Sequence, residues 1–343
     1  MKKVLSHILA CSLLCCLFVG CDSNTNGTEV EQDTTASEIA EQTTEEETAA
    51  QYMATQSDRY NIDYDEESTA PINEQTFYDN SIKFIVTEQY ASNNKMISKD
   101  GYSIMGGDKD VDALVLPSEY NGRDIVSLYD NAYEGSDIKS LDISDTIEYI
   151  GLGSFSYCEK LENVSFGEKI KKIEGLAFYF CSSIKYIEFN ESLESIWGSA
   201  FSSCNSLRKV TFNGNVKLIG VDSFSSCDSL ETVEFKGKYD DLVIGRCAFA
   251  YNPNLKSIYL PEGTVEIEAE AFLKCENLEE IHIPASVTKF GYNADEENEK
   301  EFGKQYVYIE SDILRGTDAT IYAPKGSAAE QYAEMTGREF VAE

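Results

Sequence analysis

Phe155, Phe178, Phe201, Phe224, Phe249 and Phe272 follow one another at intervals of 23, 23, 23, 25 and 23 residues. The same slots around each are apolar. With Phe201 as origin they hold Leu193, Ile196, Cys204, Leu207, Val210 and Phe212. The next unit reads Val216, Ile219, Phe224, Cys227, Leu230, Val233 and Phe235, and the preceding one Ile170, Ile173, Phe178, Cys181, Ile184, Ile187 and Phe189. A weaker first unit runs Ile125, Leu128, Tyr133, Ile138, Leu141, Ile143. A final one begins at Val287 and Phe290 and is then interrupted. A period of this length implies a solenoid, because one unit cannot bury its apolar side alone and stacked units make a continuous core. The alternation at the end of Leu-x-x-Val-x-Phe reads as a short strand. Successive strands then pair in parallel about 4.7–4.9 Å apart.

The fold class expected is an α/β-type repeat solenoid, mostly short parallel β-strands, built as a right-handed leucine-rich repeat with 23-residue units. The pattern resembles the BspA-like leucine-rich repeat family of surface proteins over roughly residues 84–343. Leu116-Pro117-Ser118-Glu119-Tyr120-Asn121-Gly122 resembles that family's opening segment. Ala319 to Ser327, followed by Tyr332-Ala333, resembles its closing strand and helix. The resemblance implies adhesion or ligand binding rather than one defined ligand. Segment 292–318 departs from the repeat.

The front of the chain has a different character. Lys2 and Lys3 precede an apolar stretch from Val4 to Val19, which reads as a secretory signal peptide over residues 1–20 and is too short for a permanent span. Phe18-Val19-Gly20-Cys21 resembles a bacterial lipoprotein cleavage box, which makes Cys21 the lipidation site and implies a bacterial cell-surface location with a membrane anchor. Residues 21–75 read as an acidic disordered tether. They are rich in Asp, Glu and Thr, with Arg59 the single basic residue. Such composition buries too little to repay the entropy of folding. Residues 76–111 are expected as an N-terminal cap, 112–291 as the repeats, and 292–343 as an irregular segment with a C-terminal cap whose helix lies near 327–336.

The formal net charge is −33. Nucleic-acid affinity rests on Lys and Arg neutralising phosphates, so a polyanion of this size argues against that partner. An extracellular protein or a glycan remains, with the membrane reached through the N-terminal lipid. His282 is the one histidine outside the signal segment, so multi-histidine metal or catalytic sites are not expected, and no cofactor is implied. Asp108, Asp110, Asp112 and Glu119 partly match a calcium-loop spacing, but Ala113 stands where glycine is needed. Cys158, Cys181, Cys204, Cys227 and Cys275 share one repeat slot, with Asn252 in the fifth unit, and read as buried reduced thiols.

Two columns of strand residues are expected to face outward. One is Asp142, Ser165, Glu188, Thr211, Glu234, Tyr259, His282 and Tyr322. The other is Ser140, Asn163, Tyr186, Lys209, Thr232, Ser257, Glu280 and Thr320. Curved solenoid sheets are common binding surfaces. The candidate ligand-binding residues are therefore Tyr186, Glu188, Thr211, Glu234, Tyr259, His282 and Tyr322, joined by Trp197, whose slot is filled elsewhere by Gly and Glu. Glu188 and Glu234, two rungs apart, fall near the limit for a paired-carboxylate glycosidase, but no cleft accompanies them. The function expected is non-catalytic binding of protein partners, by adhesion or host and cell interaction. A lipoprotein that captures polysaccharide for uptake is the alternative.

Overall fold

A computed structural model describes residues 74–79, 82–87, 101–291 and 312–343. The expected signal segment, Cys21 and most of the tether lie outside the described residues, as does 292–311. The remainder forms a solenoid with two walls of parallel strands. One wall is a single sheet through Arg123–Leu128, Tyr149–Ile150, Lys172–Ile173, Ser195–Ile196, Leu218–Ile219, Leu242–Ile244, Thr264–Ile267 and Lys289–Phe290. The other is divided into three short sheets. These are Ala113–Val115 to Asn163–Ser165, Tyr186–Phe189 to Thr232–Phe235, and Ser257–Tyr259 to Phe340–Ala342. The anticipated strand wall is the second of these. The first is made largely of two-residue strands, too short to display an alternating pattern. Among the described residues the only α-helix is Ala328–Thr336, inside the expected C-terminal cap.

The recurring phenylalanines form a continuous ladder in the core. Ring centroids from Phe155 to Phe272 stand 5.0–5.7 Å apart, and the central rings are nearly coplanar in orientation, at 5° for Phe178–Phe201 and 2° for Phe201–Phe224. Tyr133 extends the ladder at 5.6 Å from Phe155. A second row, Phe166, Phe189, Phe212 and Phe235, stacks beneath the strand wall and meets the first edge to face, as Phe212 does Phe224 at 90°. A 23-residue period places each ring one rung from the next, so stacking follows directly from the spacing.

The turns that carry this ladder require left-handed backbone at ordinary residues. Leu176, Ser199, Asp222, Cys247 and Glu270, two before the Phe slot, have φ between 52° and 58°. Tyr157, Phe180, Ser203, Ser226, Tyr251 and Lys274, two after it, have φ between 53° and 62°. Such conformations cost of order 1–3 kcal/mol each and persist only where surroundings impose them. Here the imposing contacts are inter-rung hydrogen bonds. In the central rung Ser199, Phe201 and Ser203 donate their amides to the carbonyls of Val221, Ser223 and Ser225 at 2.8–2.9 Å. The same triplet recurs along the molecule as a third backbone ladder.

The cysteine slot is a donor slot. Sγ of Cys158, Cys181, Cys204, Cys227 and Cys275 each lies 3.1–3.4 Å from the ring-slot carbonyl of the previous rung. All six repeat-domain cysteines are free and buried. Burial pushes the Cys227 and Cys275 thiols up to about 12 and raises Cys181 and Cys204 well above their ordinary value. Asn252 fills the slot with Nδ2, donating to Phe224 and Phe249 carbonyls at 3.0 and 2.8 Å, while its Oδ1 accepts the Cys227 amide at 2.9 Å.

Both ends of the core are closed. Antiparallel strands Gln75–Asp79, Ile82–Thr87 and Tyr102–Gly107 cover the N-terminal end, with Phe84, Val86 and Ile104 fully buried. At the other end the interruption proves narrower than 292–318. Phe272 and Lys274 donate to the carbonyls of Ile313 and Arg315 at 2.9 and 2.8 Å, which puts buried Leu314 in the Phe slot of the final rung. Residues 312–318 therefore return to the repeat. Sequence alignment to the 23-residue period cannot reveal this, because an insertion displaces the slots.

One carboxylate sits uneasily in this frame. Asp130 accepts the Leu152 amide at 2.9 Å, yet burial pushes its carboxyl up to about 6, with the negative charge of Glu174 adding to the shift. A folded-state pKa above the unfolded value means that the folded chain binds the proton more tightly. Stability then rises as pH falls from about 6 towards 4, and the ionised form costs stability at pH 7. Asp130→Asn keeps the acceptor for Leu152 and removes the charge. It is expected to stabilise the chain by about 1–2 kcal/mol at pH 7 and by almost nothing at pH 4. Urea melts at the two pH values check this, and equal effects at both would refute the assignment.

Candidate functional site

The strand wall presents two outward columns in strict register. Tyr186, Lys209 and Thr232 pair in sequence, as do Glu188, Thr211 and Glu234. Further on, Ser257, Glu280 and Thr320 align beside Tyr259, His282 and Tyr322. Inward residues between them, such as Ile187, Val210, Ile258 and Ile281, are buried, so alternation fixes which side chains face out.

The wall does not gather all the expected residues into one site. Tyr186 is 61% exposed, but it stands three rungs from Tyr259 and in the other column. Thr211 is a correction: it points outward but is only 3% exposed. Its short side chain lies low between the longer Glu188 and Glu234. Glu188 accepts the Asn213 amide at 2.9 Å, and Glu234 pairs with Lys209 at 2.6 Å and Lys236 at 3.3 Å. The Lys209 hydrogen bond holds the Glu234 carboxyl low, opposite to what a general acid requires. Trp197 is also separated. It follows the strand Ser195–Ile196 of the opposite wall, half-buried, with the Lys172 ammonium 4.6 Å from its ring centroid. Its slot-mates suggested exposure correctly in part, but a single-slot comparison carries no information about which wall the slot belongs to.

Three of the candidates do come together. His282 is sandwiched between Tyr259 at 3.9 Å and Tyr322 at 4.6 Å, with ring planes within 16°. Its Nδ1 meets the Glu343 carboxylate at 3.1 Å, and its Nε2 lies 3.7 Å from Glu280. Glu343 was not anticipated, because its arrival depends on the C-terminal cap. Ser327 caps the helix Ala328–Thr336, accepting the Glu330 amide, and Gly337 ends it in the left-handed region. Arg338 then binds Asp312 at 2.6 Å and the Thr317 and Leu314 carbonyls at 2.7 and 2.9 Å, while Tyr332 hydrogen-bonds Asp312. These contacts deliver Phe340–Ala342 as the last parallel strand, beside Thr320–Ala323, with Glu339 and Glu343 at its two ends.

The partial calcium-loop match is used differently. Asp112 pairs with Lys139 at 2.8 Å, and Asp108 accepts the Lys83 amide at 2.9 Å. Among the described residues no group of three or more His, Cys, Asp or Glu is arranged to hold a metal.

A parallel-strand solenoid with an outward-facing strand wall defines a repeat protein of the binding class. The family description "BspA type leucine rich repeat region" matches residues 126–243 and 242–300 in six copies, just over half of the chain. The chain belongs to this BspA-type leucine-rich repeat family. No curated protein matches it. Among solved structures it is similar to a T. pallidum leucine-rich repeat protein, at 26% identity over 56% of this chain and 78% of that one, with a TM-score of 0.41. It is also similar to a leucine-rich cell surface protein of Faecalibacterium prausnitzii, at 16% identity over 78% and 98% of the two chains, TM-score 0.35. A Bacteroides ovatus leucine-rich repeat protein matches at 18% identity over 78% and 99%, TM-score 0.36.

Proposed function

We propose that this chain is a non-catalytic lipoprotein of a bacterial cell surface, held there by a lipid on Cys21 and an acidic tether, whose strand wall binds protein partners. The observation that carries the reading is the exposure of Tyr186 and Tyr259, at 61% and 57%, on the outward face of the strand wall. Tyrosine on a fixed frame supplies large amphipathic contact area at little conformational cost. Monomeric surfaces expose single apolar residues freely, so the weight lies in their position on the wall typical of solenoid recognition.

The test is binding of the purified full chain to an array of matrix proteins and glycans. Saturable binding to a protein is expected, weakened about tenfold or more by the double substitution Tyr186→Ala and Tyr259→Ala. Binding that ignores every strand-wall substitution would overturn the placement. Saturable binding to one glycan class would transfer the function to polysaccharide capture.

A further inference from the structure

We propose that the C-terminal end of the strand wall, around Tyr259, His282 and Tyr322, docks the lysine and arginine side chains of a basic protein segment. This rests on the reading of the wall as protein-binding and names the chemistry of the partner.

The first argument is a contrast in charge pairing. Along the earlier repeats, several carboxylates are met by a lysine from a neighbouring rung, though Glu188 of the strand wall is met by Asn213. Lys139–Asp112, Lys160–Asp137, Lys185–Glu162 and Lys209–Glu234 all close at 2.6–2.8 Å. At the C-terminal end Glu280, Glu339 and Glu343 form no ion pair with any lysine or arginine among the described residues. The side chains of Glu280 and Glu343 are 43% and 47% exposed. Among the described residues the Glu339 carboxylate meets only the Thr320 hydroxyl, at 3.5 Å. Glu280 and Glu343 meet His282, which stacks on Tyr322, and after burial the negative charges of Glu280, Glu339 and Glu343 raise the Tyr322 phenol above its ordinary value.

The second argument is ring orientation. Tyr259, His282 and Tyr322 spend their facing surfaces on one another, and Tyr259, at one end of the stack, is 57% exposed. A neutral sugar stacks on an open ring face, and this column offers little of that. A lysine or arginine is suited to it. The alkyl stem lies along the aromatic edge. The charged head reaches the flanking carboxylates, bidentately for arginine. The exposed Tyr259 ring takes a cation directly. The net charge of −33 draws basic segments toward the surface, and the local geometry selects where they settle.

The experiment titrates nona-arginine into the full chain at roughly 0.15 M salt, where distant surface charges are screened. His282 and Trp197 serve as reporters, since the chain has only one tryptophan and it lies on the opposite wall. Saturable binding is expected, with the His282 imidazole resonances shifted and the Trp197 indole signal unmoved. Tyr259→Ala, which leaves the net charge unchanged, and Glu343→Gln should each weaken it about tenfold. Glu159→Gln, a charge-matched change at an exposed turn outside the strand wall, should alter it less than about twofold. Loss of equal size in Glu159→Gln, or binding without movement of His282, would reduce the effect to diffuse charge and overturn the site. No binding would overturn it too. A neutral β-glucan oligomer that shifts His282 in place of the peptide would make this end a glycan site. If nona-arginine fails while a protein from the array is still lost on strand-wall substitution, the cationic inference falls and the protein-binding reading stands. If that array binding ignores the wall, the broader reading falls.

Discussion

Phe201→Ala is expected to lower the unfolding free energy by about 3–5 kcal/mol, the scale for removing a buried phenylalanine. Phe201 is fully buried and stacks on two rings, Phe178 at 5.0 Å and Phe224 at 5.2 Å, while Phe189 meets it edge-on at 5.6 Å. Alanine therefore removes the side-chain burial and two stacking contacts, and it leaves a void bounded by rings that are themselves held by the rungs above and below. Those rungs cannot close the gap without breaking the inter-rung amide ladder. Because each rung contacts only its neighbours, a void at the centre also weakens the coupling between the two halves. Urea denaturation followed by Trp197 fluorescence and by far-ultraviolet circular dichroism should show the loss, and the two probes should separate in the variant. A loss below about 1.5 kcal/mol would mean that the stack relaxes around the void, against the packing described here.

Asn252→Ala should cost about 2 kcal/mol, since it strips the partner from two buried backbone groups, the Cys227 amide and the Phe224 carbonyl, each worth about 1 kcal/mol or more when left unsatisfied, while the Phe249 carbonyl keeps the Cys275 thiol. Asn252 is itself fully buried and satisfies the Cys227 amide and the Phe224 and Phe249 carbonyls. Asn252→Cys should recover part of this, because cysteine in the other rungs donates to the equivalent carbonyl. It would leave the Cys227 amide without the acceptor that Oδ1 provides. The order Asn over Cys over Ala in urea midpoint is the expected result. Equal stability for Cys and Ala would show that the thiol–carbonyl contacts contribute nothing, and the column would then be a matter of size alone.

Much of this architecture was legible in residue spacing. The Phe slot, the inward Ile and Val slots and the strand columns all follow from a 23-residue period combined with two-residue alternation. The second wall was not legible, because strands such as Lys172–Ile173 and Ser195–Ile196 contain only two residues. Nor was the backbone of the turns, where Leu176, Phe180 and Tyr251 adopt left-handed φ that their side chains disfavour. Local preference there gives way to hydrogen bonds with the next rung, which no short window of sequence contains.

The candidate site divides in the same way. Residue identity and period alone settle that Tyr259 and His282 occupy one column, because equal slots in successive units must align when rungs stack; Tyr322, beyond the interruption, is assigned to it through the resemblance of its segment to a closing strand, and strand pairing places it there. They also settle that Thr211 points outward. Only the assembled molecule decides that Thr211 is covered, that Tyr186 is remote, and that Trp197 belongs to the opposite wall. It alone brings Glu343 to His282, through a cap in which Arg338 fastens the chain to Asp312 and Leu314 across a gap of more than twenty residues. The physical reason is that periodic contacts are translations of one local pattern, whereas burial by neighbours and closure across an insertion depend on side chains distant along the chain meeting in space.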